Sequence, residues 1–114
     1  MTISFVNDSA TISTTEYSLP ADTTTGVPTS QTDDCIFSAI IGFQNMIAGD
    51  QYEIKLYESD GTAQGLIGTW VITGAQSMPK FSLPSHILGA GWDLTVKRLT
   101  GSDRTISWSL RKVT

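Results

Sequence analysis

The sequence predicts an antiparallel β-sandwich or small jelly roll with an extended N-terminal arm, and three observations carry that expectation. From Cys35 onward, strand-like segments alternate with turn residues roughly every 8 to 12 positions. No segment sustains helical periodicity beyond one or two turns. The first 34 residues, 14 of them Ser or Thr, differ sharply in composition from the remainder of the chain. A chain of 114 residues, 39% apolar and 16% charged, suits one compact domain and is too short for a multidomain enzyme.

Residues 1–34 read as the arm, with one strand-like piece from Ala10 to Leu19 and an extended loop from Pro20 to Asp34. Few of its side chains can repay their own ordering by burial. Residues 35–114 read as the sandwich. Cys35 to Phe43 is a nearly continuous apolar run, as expected of a central strand covered on both faces. In Gln51 to Glu58, Tyr52, Ile54 and Leu56 alternate with Glu53 and Lys55, the pattern of a half-buried strand. Ser59-Asp-Gly-Thr62 signals a tight turn, and Leu66 to Thr73 returns from it. Pro79 and Pro84 confine Lys80 to Leu83 to a short edge piece, while Ser85 to Leu88 reads as a single turn. Finally, Trp92, Leu94 and Val96, then Ile106, Trp108 and Leu110, each alternate with polar residues around Thr100-Gly-Ser-Asp103. That pattern predicts a terminal hairpin with one apolar and one polar face.

Charge is distributed unevenly. Residues 1–54 hold seven acids and no Lys or Arg, whereas all seven basic residues lie from Lys55 onward against four acids, so the two parts sum to −7 and +3. The net charge of −4 argues against general nucleic-acid binding. The longest apolar runs fall far short of the roughly 20 residues of a membrane span, and the start lacks the basic and apolar regions of a signal peptide. Neither a nucleic-acid nor a membrane partner is expected. The single Cys35 cannot form an internal disulfide and reads as a small core residue.

Constellations for chemistry are scarce. His86 is the sole histidine and sits between Pro84 and a glycine-rich corner. Glu53 and Glu58, five apart, fall on opposite faces of a regular strand and cannot form a glycosidase pair. Asp33-Asp34 lacks a calcium-loop pattern, no zinc spacing occurs, and Gly61 to Gly68 lacks the Gly-Lys-Ser/Thr ending of a phosphate loop. The expectation is therefore no catalytic set, no metal and no cofactor; a small hydrolase fails the spacing tests.

Two features suggest contact with a partner. The arm places Ile12, Thr14, Glu16, Tyr17, Leu19, Pro20 and Val27 in a segment whose apolar members would be odd choices for a pure linker, as if it added a strand to a neighbour. The terminal hairpin carries Lys97, Arg98, Arg104, Arg111 and Lys112, a basic set suited to an acidic surface, including the acidic arm of a neighbouring copy. Trp70, Trp92 and Trp108 are in phase with aliphatic neighbours and read as core. Tyr57 is out of phase with Tyr52, Ile54 and Leu56 and is the exposed-aromatic candidate.

Three stretches carry a resemblance: Thr15–Asp34 (TEYSLPADTTTGVPTSQTDD), Met46–Glu58 (MIAGDQYEIKLYE) and Gly91–Val113 (GWDLTVKRLTGSDRTISWSLRKV). In their order, from Thr-rich leader through Ala-Gly-Asp corner to Gly-Trp-Asp segment, the chain resembles small virion-associated proteins of tailed bacteriophages. The resemblance implies a non-enzymatic structural part of the virion, made in the bacterial host cytoplasm. A capsid decoration or cement protein, binding the major shell protein and neighbouring copies as a homo-oligomer on the particle, is the commonest such role. The alternative is a carbohydrate- or receptor-binding module of a tail or head fibre, using Tyr57, Trp92 or the loop from Gly61 to Gly65. The resemblance carries no catalytic residues to this chain.

Overall fold

The computed structural model describes residues 2–26 and 28–113. Among them are nine β-strands and no helix: β1 (Ile3–Ile12), β2 (Tyr17–Ser18), β3 (Thr23–Thr24), β4 (Cys35–Gly42), β5 (Gln51–Ser59), β6 (Gln64–Thr73), β7 (Lys80–Leu88), β8 (Asp93–Thr100) and β9 (Arg104–Val113). They form two antiparallel sheets, one of four strands in the order β1-β9-β4-β7 and one of five in the order β3-β2-β8-β5-β6. The fold is the expected β-sandwich.

Alternation places the core. Phe37, Ala39 and Ile41 of β4 and Ile106, Trp108 and Leu110 of β9 point inward from one layer; Tyr52, Ile54 and Leu56 of β5 and Leu94 and Val96 of β8 point inward from the other. Four aromatic pairs bridge the layers. Phe37 meets Trp92 at 4.7 Å between ring centroids, Tyr17 meets Trp108 at 5.6 Å, Trp70 meets Phe81 at 5.7 Å and Phe43 meets Tyr52 at 6.4 Å, all tilted as their quadrupoles favour.

Several sequence expectations need correction. The first 34 residues are not an arm whose partner lies elsewhere. β1 pairs with β9 of its own chain over ten residues, β2 pairs with β8, and Ile12 and Leu19 are fully buried. The strand-like piece from Ala10 to Leu19 is broken after Ile12, where the Ser13 carbonyl accepts the Arg98 N–H and the chain crosses between layers. The terminal hairpin does not exist as one sheet element, because β8 and β9 lie in opposite sheets. Their two apolar faces look at each other across the core instead of lying side by side.

The strand expected to be covered on both faces is also different. β4 is central, but Ile36 is 47% exposed and only its other face is buried. β8 is the strand covered twice: Asp93 and Thr95, on its outer side, are buried along with Leu94 and Val96. The edge piece from Lys80 to Leu83 continues through Pro84 to Leu88, so Ser85 to Leu88 is strand and not a turn. A register shift opposite Phe37/Ala39, on a strand with one neighbour only, accommodates the missing N–H of Pro84. β5 and β6 form the anticipated hairpin, in which Asp60 Oδ1 accepts the Thr62 and Ala63 N–H groups beside Gly61 at φ 94°.

Candidate docking surface

The outer face of the four-stranded sheet carries an uncovered apolar row. The register sets Ile3 beside Val113, Val113 beside Ile36 and Ile36 beside Ile87, one residue from each of β1, β9, β4 and β7. Ile87 is 84% exposed, Ile3 53% and Ile36 47%. In the adjacent row Phe5, 60% exposed, lies beside Arg111, which in turn lies beside Ser38. The Arg111 guanidinium sits 5.6 Å from the centre of the Phe5 ring. Between these rows is a shallow depression of ≈ 270 Å³ lined by Ile3, Phe5, Ile36, Ser38, Arg111 and Val113 among others. Single exposed aliphatics need no explanation; three in one row across a whole sheet, with half-buried Val113 between them and an aromatic beside them, mark a surface suited to contact.

On the opposite outer face, that of the five-stranded sheet, the middle strands are polar and already paired, and the exposed apolar residues Leu66, Ile67 and Val71 are confined to the edge strand β6. Lys55 Nζ lies 3.1 Å from Glu16 and 3.4 Å from Glu53, and Lys97 Nζ lies 4.0 Å from Glu53. The Tyr57 hydroxyl donates to the Glu16 carboxylate at 3.2 Å, so Tyr57 is half-buried beneath that side chain and is not an exposed platform. Burial, then the Glu16 charge, pushes its phenol pKa upward. Beside it, Asp93 accepts from the Ser18 hydroxyl at 2.7 Å and from the Thr29 and Leu94 N–H groups. Burial raises the Asp93 carboxyl, and these hydrogen bonds oppose that shift.

The basic set is dispersed over the molecule and largely neutralised within it. Arg98 pairs with Asp103 at 2.8 Å, Arg104 with Asp50 at 2.7 Å, Lys112 with Asp33 at 2.9 Å and Lys97 with Glu53. Of the five, Arg111 makes no ion pair among the described residues. The charge asymmetry is thus resolved inside one chain: Glu16, Asp33, Asp50 and Glu53, from the acidic first half, meet Lys55, Lys112, Arg104 and Lys97 from the second. Solvent-accessible pairs such as Arg98–Asp103 and Lys112–Asp33 contribute little stability individually; Asp50, which is buried, is a different case.

The proposed arm contacts fare similarly. Ile12 and Leu19 are core, Pro20 is half-buried and Glu16 is committed to Lys55 and Tyr57. Tyr17 packs on Trp108 and donates to Asp22 at 2.6 Å; burial, reinforced by that hydrogen bond, pushes its pKa up to about 12. Thr14 is exposed, and Val27 lies outside the described residues. Trp92, a candidate glycan contact, is fully buried. Sequence reasoning missed Ile3, Phe5, Ile36, Ile87 and Val113. The available signal was the second apolar phase of β4, Ile36 and Ile40, which reads as a covered face.

Asp50, 2% exposed, ties the corner before β5 to the crossover before β9. It accepts from the Ile47 N–H at 3.0 Å, the Ser102 N–H at 3.1 Å and Arg104 Nε at 2.7 Å. Gly101, at φ 88°, leaves it room; a Cβ there would collide with the carboxylate. The Arg104 guanidinium, followed by the backbone donors, holds the Asp50 carboxyl at about 2 against an ordinary 3.8. A depressed carboxyl contributes stability above its unfolded pKa that is lost as pH falls through the folded one. Asp50→Asn is therefore expected to melt lower at neutral pH and to lose less stability than the parent between pH 3.8 and about 2. Thermal midpoints across that range test this; parallel curves for the two proteins would show that Asp50 does not govern the acid limb.

No protein-family model matches the chain, and no curated protein does. Among solved structures, it is similar to a chain from work described as "Bacillus endospore appendages form a novel family of disulfide-linked pili". The TM-score is 0.54 at 14% identity, covering 98% of this chain and 87% of that one. At that identity the likeness shows the shared β-sandwich fold.

Proposed function

We propose that the chain is a non-enzymatic structural protein of a tailed-bacteriophage virion, a capsid decoration or cement protein that seats the outer face of its four-stranded sheet on the major shell protein. The observation that carries this reading is the uncovered row Ile3, Val113, Ile36 and Ile87 with Phe5 beside it. The row needs an apolar partner, and the virion assignment comes from the sequence resemblance. Internal ion pairing supports the same mode of contact: with Lys97, Arg98, Arg104 and Lys112 engaged inside the chain, attachment rests on apolar burial more than on charge.

The test is occupancy of shell particles that lack the protein, comparing the parent with an Ile36→Lys/Ile87→Lys double variant. Both side chains point to solvent, so the sandwich should fold normally. Fully burying an isoleucine is worth about 1.5–3 kcal/mol, so losing Ile87, 84% exposed, should weaken attachment about tenfold or more, and losing Ile36, 47% exposed and with about half as much surface left to bury, roughly threefold to tenfold. Equal occupancy by parent and double variant would remove this face from the account. Raising salt should change parent occupancy little, because the depression between the two rows holds one cation, Arg111, among apolar residues, and the other cation of this face, Lys80, lies at the far end of β7 from Ile87.

A further inference from the structure

The free edges of the two sheets are protected unequally. Proteins blunt such edges with lysine, proline, bulges or shortness, because an open row of N–H and C=O groups will template another strand. β7 carries Lys80, Pro84 and a register shift. β6 carries Gly65, Gly68 and a register shift opposite Leu56/Tyr57, and β3 is two residues long. β1 has none of these features, and its one charge is Asp8, on the same face as inward Trp108 of β9. It runs ten residues in unbroken register with β9, without Lys, Arg, Pro or Gly, and Ile3 through Ser9 are exposed on both faces. The short β2 and β3 of the facing sheet leave even its inward residue Val6 45% exposed.

We infer that β1 pairs antiparallel with β1 of a second copy across a two-fold axis at Val6. The open stretch from Ile3 to Ser9 has its midpoint at Val6, so this register matches the whole stretch with itself. Val6 then faces Val6 of the second copy, Phe5 faces Asn7, Ser4 faces Asp8 and Ile3 faces Ser9. Asp8 is the only charge on β1. The register brings it to a serine hydroxyl that can donate to it, and no like charges meet. A self-matched edge is what an isologous dimer requires, and this argues for a second copy over an unrelated strand.

A two-fold normal to the sheet keeps corresponding faces on the same side. The two four-stranded sheets become one of eight strands, with both apolar rows looking the same way. Resting on the docking reading, the pair would attach to a particle bivalently; the pairing itself does not depend on that reading.

The experiment is sedimentation of the full chain over a concentration series, with two substitutions at Val6. The parent should approach twice its 12.3 kDa in a concentration-dependent manner. Val6→Lys sets two ammonium groups directly opposite each other and should weaken the dimer by up to about fivefold. Its exposed position should leave the sandwich folded. Val6→Cys should form a symmetric disulfide dimer under mild oxidation. Ser9→Cys should not, since the two copies of that residue would lie about 20 Å apart at roughly 3.4 Å per residue. The native Cys35 is buried. A chain that stays monomeric up to about 1 mM, the weak end of specific association, overturns the inference. So does a dimer that Val6→Lys leaves intact and Val6→Cys fails to trap. Ile36→Lys should leave the dimer unchanged, so failure of the particle-docking face and failure of the β1 edge are separately visible.

Discussion

Removing residues 1–33 is expected to abolish the cooperative unfolding transition. The segment supplies Ile12 and Leu19 to the core, Tyr17 to the face of Trp108, and Ser18 and the Thr29 N–H to the buried Asp93 carboxylate. Loss of each buried aliphatic costs about 2–5 kcal/mol, and Asp93 would keep only its neighbouring Leu94 N–H as a partner among those hydrogen bonds. Against a typical total of about 5–15 kcal/mol, the remainder should not hold. Removing only residues 1–9 is a different operation. Ile3 through Ser9 are exposed, so that shorter deletion should keep a cooperative transition. Thermal melts of both truncations followed by circular dichroism decide the matter; a sharp transition in the longer deletion would mean that residues 34–114 form an autonomous domain.

The largest effect of a single substitution should come at Trp92. Its side chain is fully buried, packs on Phe37, donates from Nε1 to the Asp33 carbonyl at 2.9 Å and lies beneath the Lys112 ammonium at 5.4 Å. Its own carbonyl accepts the Gln31 N–H, which fixes the path of the chain leading into β4. Trp92→Ala is expected to cost about 3–5 kcal/mol, measured as a drop in the urea midpoint at unchanged slope. Trp92→Phe keeps the aromatic contact, loses the hydrogen bond and should cost less. A loss below about 1 kcal/mol for the alanine variant would mean that the core closes around the gap, outside the usual range for a buried aromatic.

Period-two alternation made β5, β8 and β9 legible, because each has one apolar face and the spacing alone says which residues share it. Alternation does not say which sheet a strand joins. Thr100 to Asp103 has the composition of a hairpin turn, yet Trp92, Leu94 and Val96 oppose Ile106, Trp108 and Leu110 across the core, an arrangement with the same one-dimensional pattern as a hairpin. β1 gave no clear signal because both of its faces are open from Ile3 to Ser9, and no burial imposes a period there. β8 was hard to recognise as doubly covered because its outer residues, Asp93 and Thr95, are polar; their neighbours on that side are Ser18 of β2 and, for Asp93, the Thr29 N–H. The candidate docking face was hidden by the opposite error. An apolar second phase in β4 reads as a covered face, and in the single chain that face is open. Charge asymmetry pointed outward for a similar reason. Composition separates acids from bases along the chain, whereas antiparallel packing brings Asp50 to Arg104 and Asp33 to Lys112.

The central claim is that this sandwich coats a larger particle through the outer face of its four-stranded sheet. A reconstruction of the intact virion at side-chain resolution tests it most directly. The account predicts the chain on the head in a fixed ratio to the major shell protein, with Ile36, Ile87 and Val113 turned into that contact. A chain absent from the virion, or present with that face open to solvent, would contradict it.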